Sequence, residues 1–332
     1  MLKNQSIRTK LALVVLGPLI GLLALGALEI RADLSNASQA GDEQLRAELS
    51  QLDGQLFEAL RIEAVANQNA VAAPNGNVSD EIRASTDAVI EAWLAGAAAF
   101  SGLDGDGLTD DLADFDSYRL DVAAQFASEG VGSQEVYESD VALLARVVAF
   151  DGRVSASATP LIGSMLLTTS ELTSVSFAAA DAQLAGLWAT HSGVVPSGSV
   201  GESMAVAEAS AAAFNTRATA GRQIEPGPDA YSEHADQIAR TSIGGALEVS
   251  PSDWQASSDA RASMLATARD ALTIDARTAA SDAAAEAGTE MRNTGLITLG
   301  GAVLGLVLLA VIATTLRKSL RAVSDDARKL AE

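Results

Sequence analysis

The sequence predicts an all-α membrane protein with two spans and a helical-bundle domain outside the cell. Two uncharged apolar runs, residues 11–28 and 293–316, lie near the two ends of the chain. All lysines flank these runs, and the region between them has helical periodicity without a long period-two alternation. The expected organisation is a cytoplasmic N terminus (1–10), a first span (11–30), an extracytoplasmic domain (31–292), a second span (293–316) and a cytoplasmic segment (317–332).

Each apolar run is long enough to cross a membrane, since ~20 residues of helix span ~30 Å of hydrocarbon. The residues before the first run include Lys3, Arg8 and Lys10, and Arg317 and Lys318 follow the second run. Basic flanks of this kind remain in the cytoplasm, which places the chain in the cell membrane with both termini inside. The first run also fits a cleavable signal peptide after its basic leader, but its length favours an anchor.

The charge of the predicted external domain restricts its partners. Between Arg31 and Arg292 there are 14 arginines and 39 acidic residues, which gives a net charge of −25. This charge disfavours nucleic acid and anionic membrane surfaces as partners. The chain has no cysteine, which excludes disulfides and thiolate metal ligands.

A stripe of leucines predicts the first helix of the external domain, and a capping pattern predicts the start of the second. Leucines recur at three- and four-residue steps: Leu45, Leu49, Leu52, Leu56 and Leu60. This helix is expected to continue from the first span to about residue 71, where AAPNGN (72–77) ends it. The next helix begins near Ser79, an N-cap residue followed by two acids.

The remaining pattern predicts further helices separated by two linkers, 192–203 and 221–229. The predicted helices cover residues 110–128, 134–150, 160–190 (broken once), 204–220, 231–249 and 252–292. The last of them continues into the second span. Two four-helix bundles are the simplest way to bury so many amphipathic faces.

The C-terminal segment RKSLRAVSDDARKLAE (317–332) resembles the first helix of a HAMP linker, the adaptor beneath bacterial transmembrane receptors. The residues of its packing seam would be Leu320, Val323, Ala327 and Leu330. Ser319 stands where that family usually has proline. The alternative interpretation is an ordinary amphipathic helix beside the membrane.

Three stretches of the external domain resemble the nitrate- and nitrite-sensing (NIT) domain of actinobacterial sensor histidine kinases. They are LFEALRIEAVANQNAV (56–71), EIRASTDAVIEAW (81–93) with Arg83, Thr86 and Asp87, and the segment 249–276, which contains Trp254. The resemblance implies a helical sensor that acts as a homodimer. It also implies a ligand such as nitrate, nitrite or another small molecule, and an output through HAMP to a kinase and response regulator.

The NIT resemblance is incomplete at the arginines to which that family's sensing is attributed. Ala64 follows Glu63 where an arginine would stand, and no lysine or arginine occurs between Arg153 and Arg217. Nitrate is a planar anion for which converging guanidinium groups are the best donors. The remaining candidates are Arg61, Arg83 and Arg146, which either converge on a ligand or pair with the many acids.

Other patterns predict neither a metal site nor catalysis. GLDGDGLTDDLAD (102–114) lacks the EF-hand ligands at positions one and twelve, so it predicts an acidic turn and a helix capped by Thr109 or Asp110. The two histidines, His191 and His234, have no second ligand nearby in sequence. No nucleotide-binding or nucleophile motif occurs, so no cofactor and no enzymatic activity are expected. Core packing is the expected role of the tryptophans Trp93, Trp188 and Trp254, and an aromatic wall beside a ligand cleft is the alternative.

Two further functions fit the same residues. One is a two-span envelope protein whose external domain is structural or binds a partner, without a signalling output. The other is the front end of a chemoreceptor, which differs from a kinase only in the domain beyond the linker.

Overall fold

The structure, a computed structural model, describes residues 7–72, 77–129, 134–193, 199–218, 222–225, 227–241 and 247–331. Throughout these ranges the regular structure is helical and no strand occurs, which confirms the predicted all-α class. The helices are α1 (Ile7–Ala72), α2 (Asp80–Ala97), a 3₁₀ helix (Ala98–Leu103), α3 (Leu108–Ala113), α4 (Phe115–Glu129), α5 (Gln134–Ala156), α6 (Pro160–Ser192), α7 (Ser199–Arg217), α8 (Asp229–Arg240) and α9 (Pro251–Ala331).

The chain divides into two compact units. The terminal unit comprises residues 1–42 and 281–332, and the central unit comprises residues 43–280. The two longest helices, α1 with 66 residues and α9 with 81, contribute residues to both units.

In the terminal unit, α9 is long and apolar enough to cross a membrane, and it is the one helix of the described residues that meets this test. Most of its large apolar side chains between residues 296 and 311 are exposed, as expected for a surface that faces lipid. The first predicted span is backbone helix within α1. Most of its side chains, including all those of residues 7–20, lie outside the described part of the chain, as do the HAMP seam residues Leu320, Val323, Ala327 and Leu330.

Within the terminal unit, α1 and α9 approach closely at Gly26. A Cβ atom built on Gly26 would lie 2.5 Å from the Cγ2 of Thr298. Glycine therefore permits this approach, as small residues do between helices in membranes.

The ends of the first helices in the central unit agree with the sequence. Helix α1 ends at Ala72, one residue beyond the predicted end. Ser79 is the N-cap of α2: its backbone is extended and its Oγ accepts a hydrogen bond from the N–H of Ile82 at 3.3 Å. The acids Asp80 and Glu81 occupy the first turn, where the helix dipole favours negative charge.

Several other helix boundaries differ from those predicted. The helix predicted at 110–128 is two helices that meet at Asp114, whose φ of −114° and ψ of 38° are not helical. Its predicted cap was also wrong, because Asp104 accepts hydrogen bonds from the N–H groups of Leu108 (2.8 Å) and Thr109 (3.0 Å). Helix α6 is continuous, α7 begins five residues early at Ser199, and α8 ends at Arg240.

The tryptophans pack in the core of the central unit, as predicted. Trp93 and Trp254 are fully buried, and Trp188 is buried as well. The Trp254 indole stacks on Tyr231 at 5.5 Å and lies against Gly186 of α6, where any side chain would overlap the ring. Its N–H donates to the carbonyl of Gln183 at 2.9 Å, which satisfies the polar atom of this side chain.

Candidate functional site

One face of α1 carries polar side chains into the core of the central unit. Ser50, Asp53, Phe57 and Arg61 follow one another at three- and four-residue steps, and Gly54 lies four residues after Ser50, so they share a face of the helix. All the side chains of this face are buried. Burial of charged groups is costly unless each one is paired, so the partners of these residues decide what the site can do.

Arg269 of α9 is the least satisfied of the buried charges. Only 3% of this residue is exposed, and among the described residues its guanidinium makes no hydrogen bond or ion pair. It packs on the backbone of α1, where a Cβ atom on Gly54 would lie 2.7 Å from its Nε, and its Cζ lies 5.9 Å from the centre of the Phe57 ring. This arrangement leaves Arg269 buried, with an Nε–H group that has no acceptor among the described residues.

The charge around Arg269 is mixed. Burial lowers its pKa, while the negative charges of Asp270, Glu58 and Asp151 raise it and the positive charge of Arg61 lowers it further. Guanidinium groups remain protonated in proteins even when burial lowers their pKa. Arg269 is therefore a permanent positive charge held in a poorly solvated position.

Arg61, in contrast, is fully engaged. Its Nε and Nη2 donate to the carboxylate of Glu58 at 3.0 and 2.7 Å, and its Nη1 donates to Gln183 Oε1 (2.6 Å) and Asp259 Oδ1 (3.1 Å). Burial would lower the pKa of Arg61, but the bonds with Glu58 and Asp259 raise it. This network links α1, α6 and α9 next to Arg269.

Two acids, Asp53 and Asp151, are buried near each other, and the charge of Asp151 acts on Arg269. Asp53 is 0% and Asp151 1% exposed. Asp53 Oδ1 accepts from the indole N–H of Trp93 at 2.6 Å, and Asp151 Oδ1 accepts from Ser50 Oγ at 3.2 Å. The Oδ2 atom of each has no hydrogen-bond partner among the described residues.

The pKa values of both carboxyls are raised. Burial, and then the charge of Asp151, raises the pKa of Asp53 well above its usual value. Burial raises the pKa of Asp151 to about 6, although nearby hydroxyls and the charge of Arg269 oppose the shift. The pair therefore resists full ionisation.

A second polar cluster joins α1 to α2 and α4. Arg119 binds the buried carboxylate of Glu63 with two hydrogen bonds, Nε to Oε1 at 2.7 Å and Nη2 to Oε2 at 2.9 Å, and pairs with Asp87 at 2.7 Å. Burial would lower the pKa of Arg119, but these two carboxylates raise it. Its charge is neutralised, so this cluster holds helices together rather than offering a free cation.

Asp140 lies beside this cluster and is 3% exposed. Its Oδ1 accepts hydrogen bonds from Tyr118 Oη at 2.6 Å and from Asn67 Nδ2 at 3.4 Å, and its Oδ2 has no partner among the described residues. Burial raises the pKa of Asp140 to about 7, and the charge of Glu63 adds to the rise.

The three predicted arginines have different surroundings. Arg61 belongs to the network beside Arg269. Arg83, at the start of α2, has a buried Nε without a hydrogen bond among the described residues, and its carbonyl accepts from Arg119 at 3.3 Å. Arg146 pairs with Asp111 and donates to the carbonyl of Asp106 at 2.7 Å. Arg61 and Arg146 are therefore each bonded to separate acids.

Sequence reasoning missed Arg269, although it lies in the stretch 249–276 that resembles the NIT domain. Arg269 could have been identified from its position on the buried face of α9. That face comprises Trp254, Ser258, Arg261, Leu265, Arg269, Leu272 and Ala276, all buried and spaced by three or four residues. A cation at a core position of an amphipathic helix is unusual enough to indicate a function.

No group of three or more histidine or acidic side chains that could hold a metal ion occurs among the described residues. Two acids of the turn 102–114 are bonded to other protein groups rather than to a metal. Asp104 caps α3, and Asp106 pairs with Arg153 of α5 at 2.8 Å. His191 contacts Asn69 at 3.1 Å, and His234 contacts Ser257 at 3.1 Å.

Comparisons with known proteins give one similar structure. No protein-family model matches the chain, and no curated protein matches its sequence. The NasR transcription antiterminator has a similar fold, with a TM-score of 0.62 and 14% identity over 82% of this chain and 83% of that chain. At this identity, the similarity shows a shared fold alone.

Proposed function

We propose that the chain is the sensory input region of a transmembrane receptor and that its central unit binds a small anion at Arg269. The observation that carries this proposal is that Arg269 is 97% buried as a residue while its Nε has no hydrogen-bond partner among the described residues. A buried N–H donor without an acceptor destabilises a fold, whereas a bound anion would accept from it.

The preferred ligand is small and planar, such as nitrate or nitrite. A guanidinium presents its N–H donors in one plane, which matches a trigonal anion. The closeness of Arg269 to Gly54 and Phe57 favours an anion of few atoms over a bulky one. The resemblance of three stretches to the NIT family supports the same class of ligand.

The departures from the family's arginine pattern restrict how the anion is held. Because Ala64 replaces the expected arginine, the second donor group must come from elsewhere in the core. Arg61 can fill this role if it exchanges one of its bonds, for example that with the half-exposed Asp259. Arg83 and Arg146 then serve the packing of α2 and α5.

Helices α1 and α9 are the proposed route of the signal. Both line the site, and both also run through the terminal unit. An anion that draws Arg269 toward a new position would shift the packing of α9 on α1, and displacements of ~1–2 Å are typical of switching helices.

The membrane part of the proposal is based on the sequence. It comprises two spans with the central unit outside the cell, a HAMP seam at Leu320, Val323, Ala327 and Leu330, and a homodimer in which these helices pair. The output is a histidine kinase that acts through a response regulator, and two four-helix bundles make up the external domain. Exposed apolar side chains on α9 support the second span.

Thermal unfolding of the full chain in detergent tests the anion site. Nitrate, nitrite and chloride are added to the wild type, to Arg269→Gln and to the control Arg277→Gln, which changes an exposed arginine on the same helix. Nitrate at 100 times its dissociation constant is expected to stabilise the wild type and the control by ~2.7 kcal/mol and to leave Arg269→Gln unchanged. Equal stabilisation of all three proteins, or of none, would refute the site.

A further inference from the structure

We propose that Asp53 and Asp151 hold one proton between them beside Arg269, and that binding of a small anion at Arg269 is accompanied by uptake of a second proton. This inference rests on the anion site proposed above and adds its regulation. The sensor would then respond to anion and acidity together.

The two carboxyls are buried deeply enough to share a proton. Both are at least 99% buried, each has one oxygen that accepts from a neutral donor, and each has one oxygen without a partner among the described residues. Two carboxylates that interact in a poorly solvated site do not both ionise near neutral pH, because each charge raises the cost of the other. One proton retained by the pair removes this cost.

The charges around the pair balance when it holds one proton. The groups that face Asp151 are Ser50 and Asp53 on α1, Ser170 and Thr173 on α6 and Arg269 on α9. Asp53 also faces the neutral indole of Trp93 on α2. Arg269 is the one cation in this set. Two carboxyls that share one proton carry a single negative charge, which Arg269 cancels.

A bound anion changes that balance. A nitrate ion on Arg269 neutralises the charge that stabilises the carboxylate of Asp151, and it brings a negative charge close to it. Burial already raises the pKa of Asp151 to about 6, and loss of the arginine's charge raises this pKa further. A proton from solvent then binds to Asp151, so that both carboxyls are neutral and the charge of Arg269 is cancelled by the anion. The anion itself is not chemically changed.

Linkage fixes the expected pH dependence. If binding takes up one proton, the affinity for nitrate falls by up to tenfold for each pH unit above the pKa of Asp151 in the free protein, which is about 6. Below that pH the second proton is already in place, and the affinity becomes independent of pH.

Isothermal titration calorimetry on the full chain in detergent tests the coupling. Sodium nitrate is titrated at pH 7 in PIPES and in imidazole, whose heats of ionisation differ, so the difference in heat gives the number of protons taken up. Close to one proton is expected for the wild type and for the control Asp282→Asn, an exposed acid on α9. For Asp151→Asn, uptake should fall to nearly zero while nitrate still binds.

The outcomes separate the two proposals. Nitrate binding by the wild type without proton uptake would overturn the coupling and leave the anion site intact. No binding between pH 5.5 and 8 would overturn both. The shared proton is also tested without ligand, by a carboxyl ¹³C NMR titration of the free protein with Asp53→Asn and Asp151→Asn used for assignment. One protonated carboxyl of the pair at pH 7 is expected, and two ionised carboxyls would refute the shared proton.

Discussion

Replacement of Asp140 by asparagine should change how the stability of the central unit depends on pH. The Asp140 carboxyl is buried, and its pKa is raised from 3.8 to about 7. In the folded protein it therefore keeps a proton between pH 4 and 7 that the unfolded chain releases. Stability that is present below pH 4 is lost as the pH rises through this window.

The size of this effect is set by the shift in pKa. A rise from 3.8 to about 7 corresponds to ~4 kcal/mol at 1.36 kcal/mol per unit, which is an upper limit because unfolded chains and local relaxation reduce it. Asp140→Asn keeps the shape of the protonated carboxyl and can still accept from Tyr118 and Asn67. The variant should match the wild type at pH 4 and exceed its free energy of unfolding at pH 8 by up to this amount.

Urea denaturation of the full chain in detergent measures this effect. Tryptophan fluorescence reports on the central unit, since Trp93, Trp188 and Trp254 all belong to it. Asp236→Asn, an exposed acid on α8, is the matched control and should follow the wild type at every pH. A variant that loses as much stability as the wild type between pH 4 and 8, or that is less stable at pH 8, would show that Asp140 does not hold this proton.

Three further predictions concern packing and pairing. Gly186→Ala places a methyl group into the ring of Trp254, so it should destabilise the central unit by about 1–3 kcal/mol and lower its melting temperature; an unchanged melting temperature would contradict this close approach. Arg119→Met leaves a buried carboxylate unpaired and should cost about 3–5 kcal/mol in urea denaturation, against a smaller loss for Arg119→Lys; equal losses would show that the charge does not matter. Cysteines at positions 26 and 298, introduced into this cysteine-free chain, should form a disulfide on oxidation, because Gly26 lies against Thr298; failure to cross-link would contradict the pairing of α1 with α9 in the terminal unit.

Local signals predicted much of the fold. The leucine stripe and the Ser79 cap gave the end of α1 and the start of α2, because periodicity and capping depend on residues within a few positions. The break at Asp114 and the early start of α7 were missed, since tertiary contacts decide which of several acceptable boundaries is used. The two spans, the HAMP seam and the number of bundles remain predictions.

The site was less predictable than the fold because it is made by long-range contacts. The stretch around Arg269 reads as an ordinary amphipathic helix, and its importance depends on burial against Gly54, more than 200 positions earlier. The same holds for Asp53 and Asp151, which come together only when α5 packs on α1. The sequence did indicate Arg61, which lies next to the site. It could not show that Arg61 is already paired with Glu58 and Asp259.

The sharpest test of the anion site is the NMR signal of the Arg269 Nε–H group in the full chain labelled with ¹⁵N-arginine. Sodium nitrate should shift this cross-peak in a saturable manner, and the peak should be absent from Arg269→Lys. The peaks of exposed arginines such as Arg277 should not move. If no arginine side-chain peak shifts with nitrate or nitrite between pH 5.5 and 8, or if the peak that shifts persists in Arg269→Lys, then Arg269 is not an anion site and the proposed sensing mechanism is wrong.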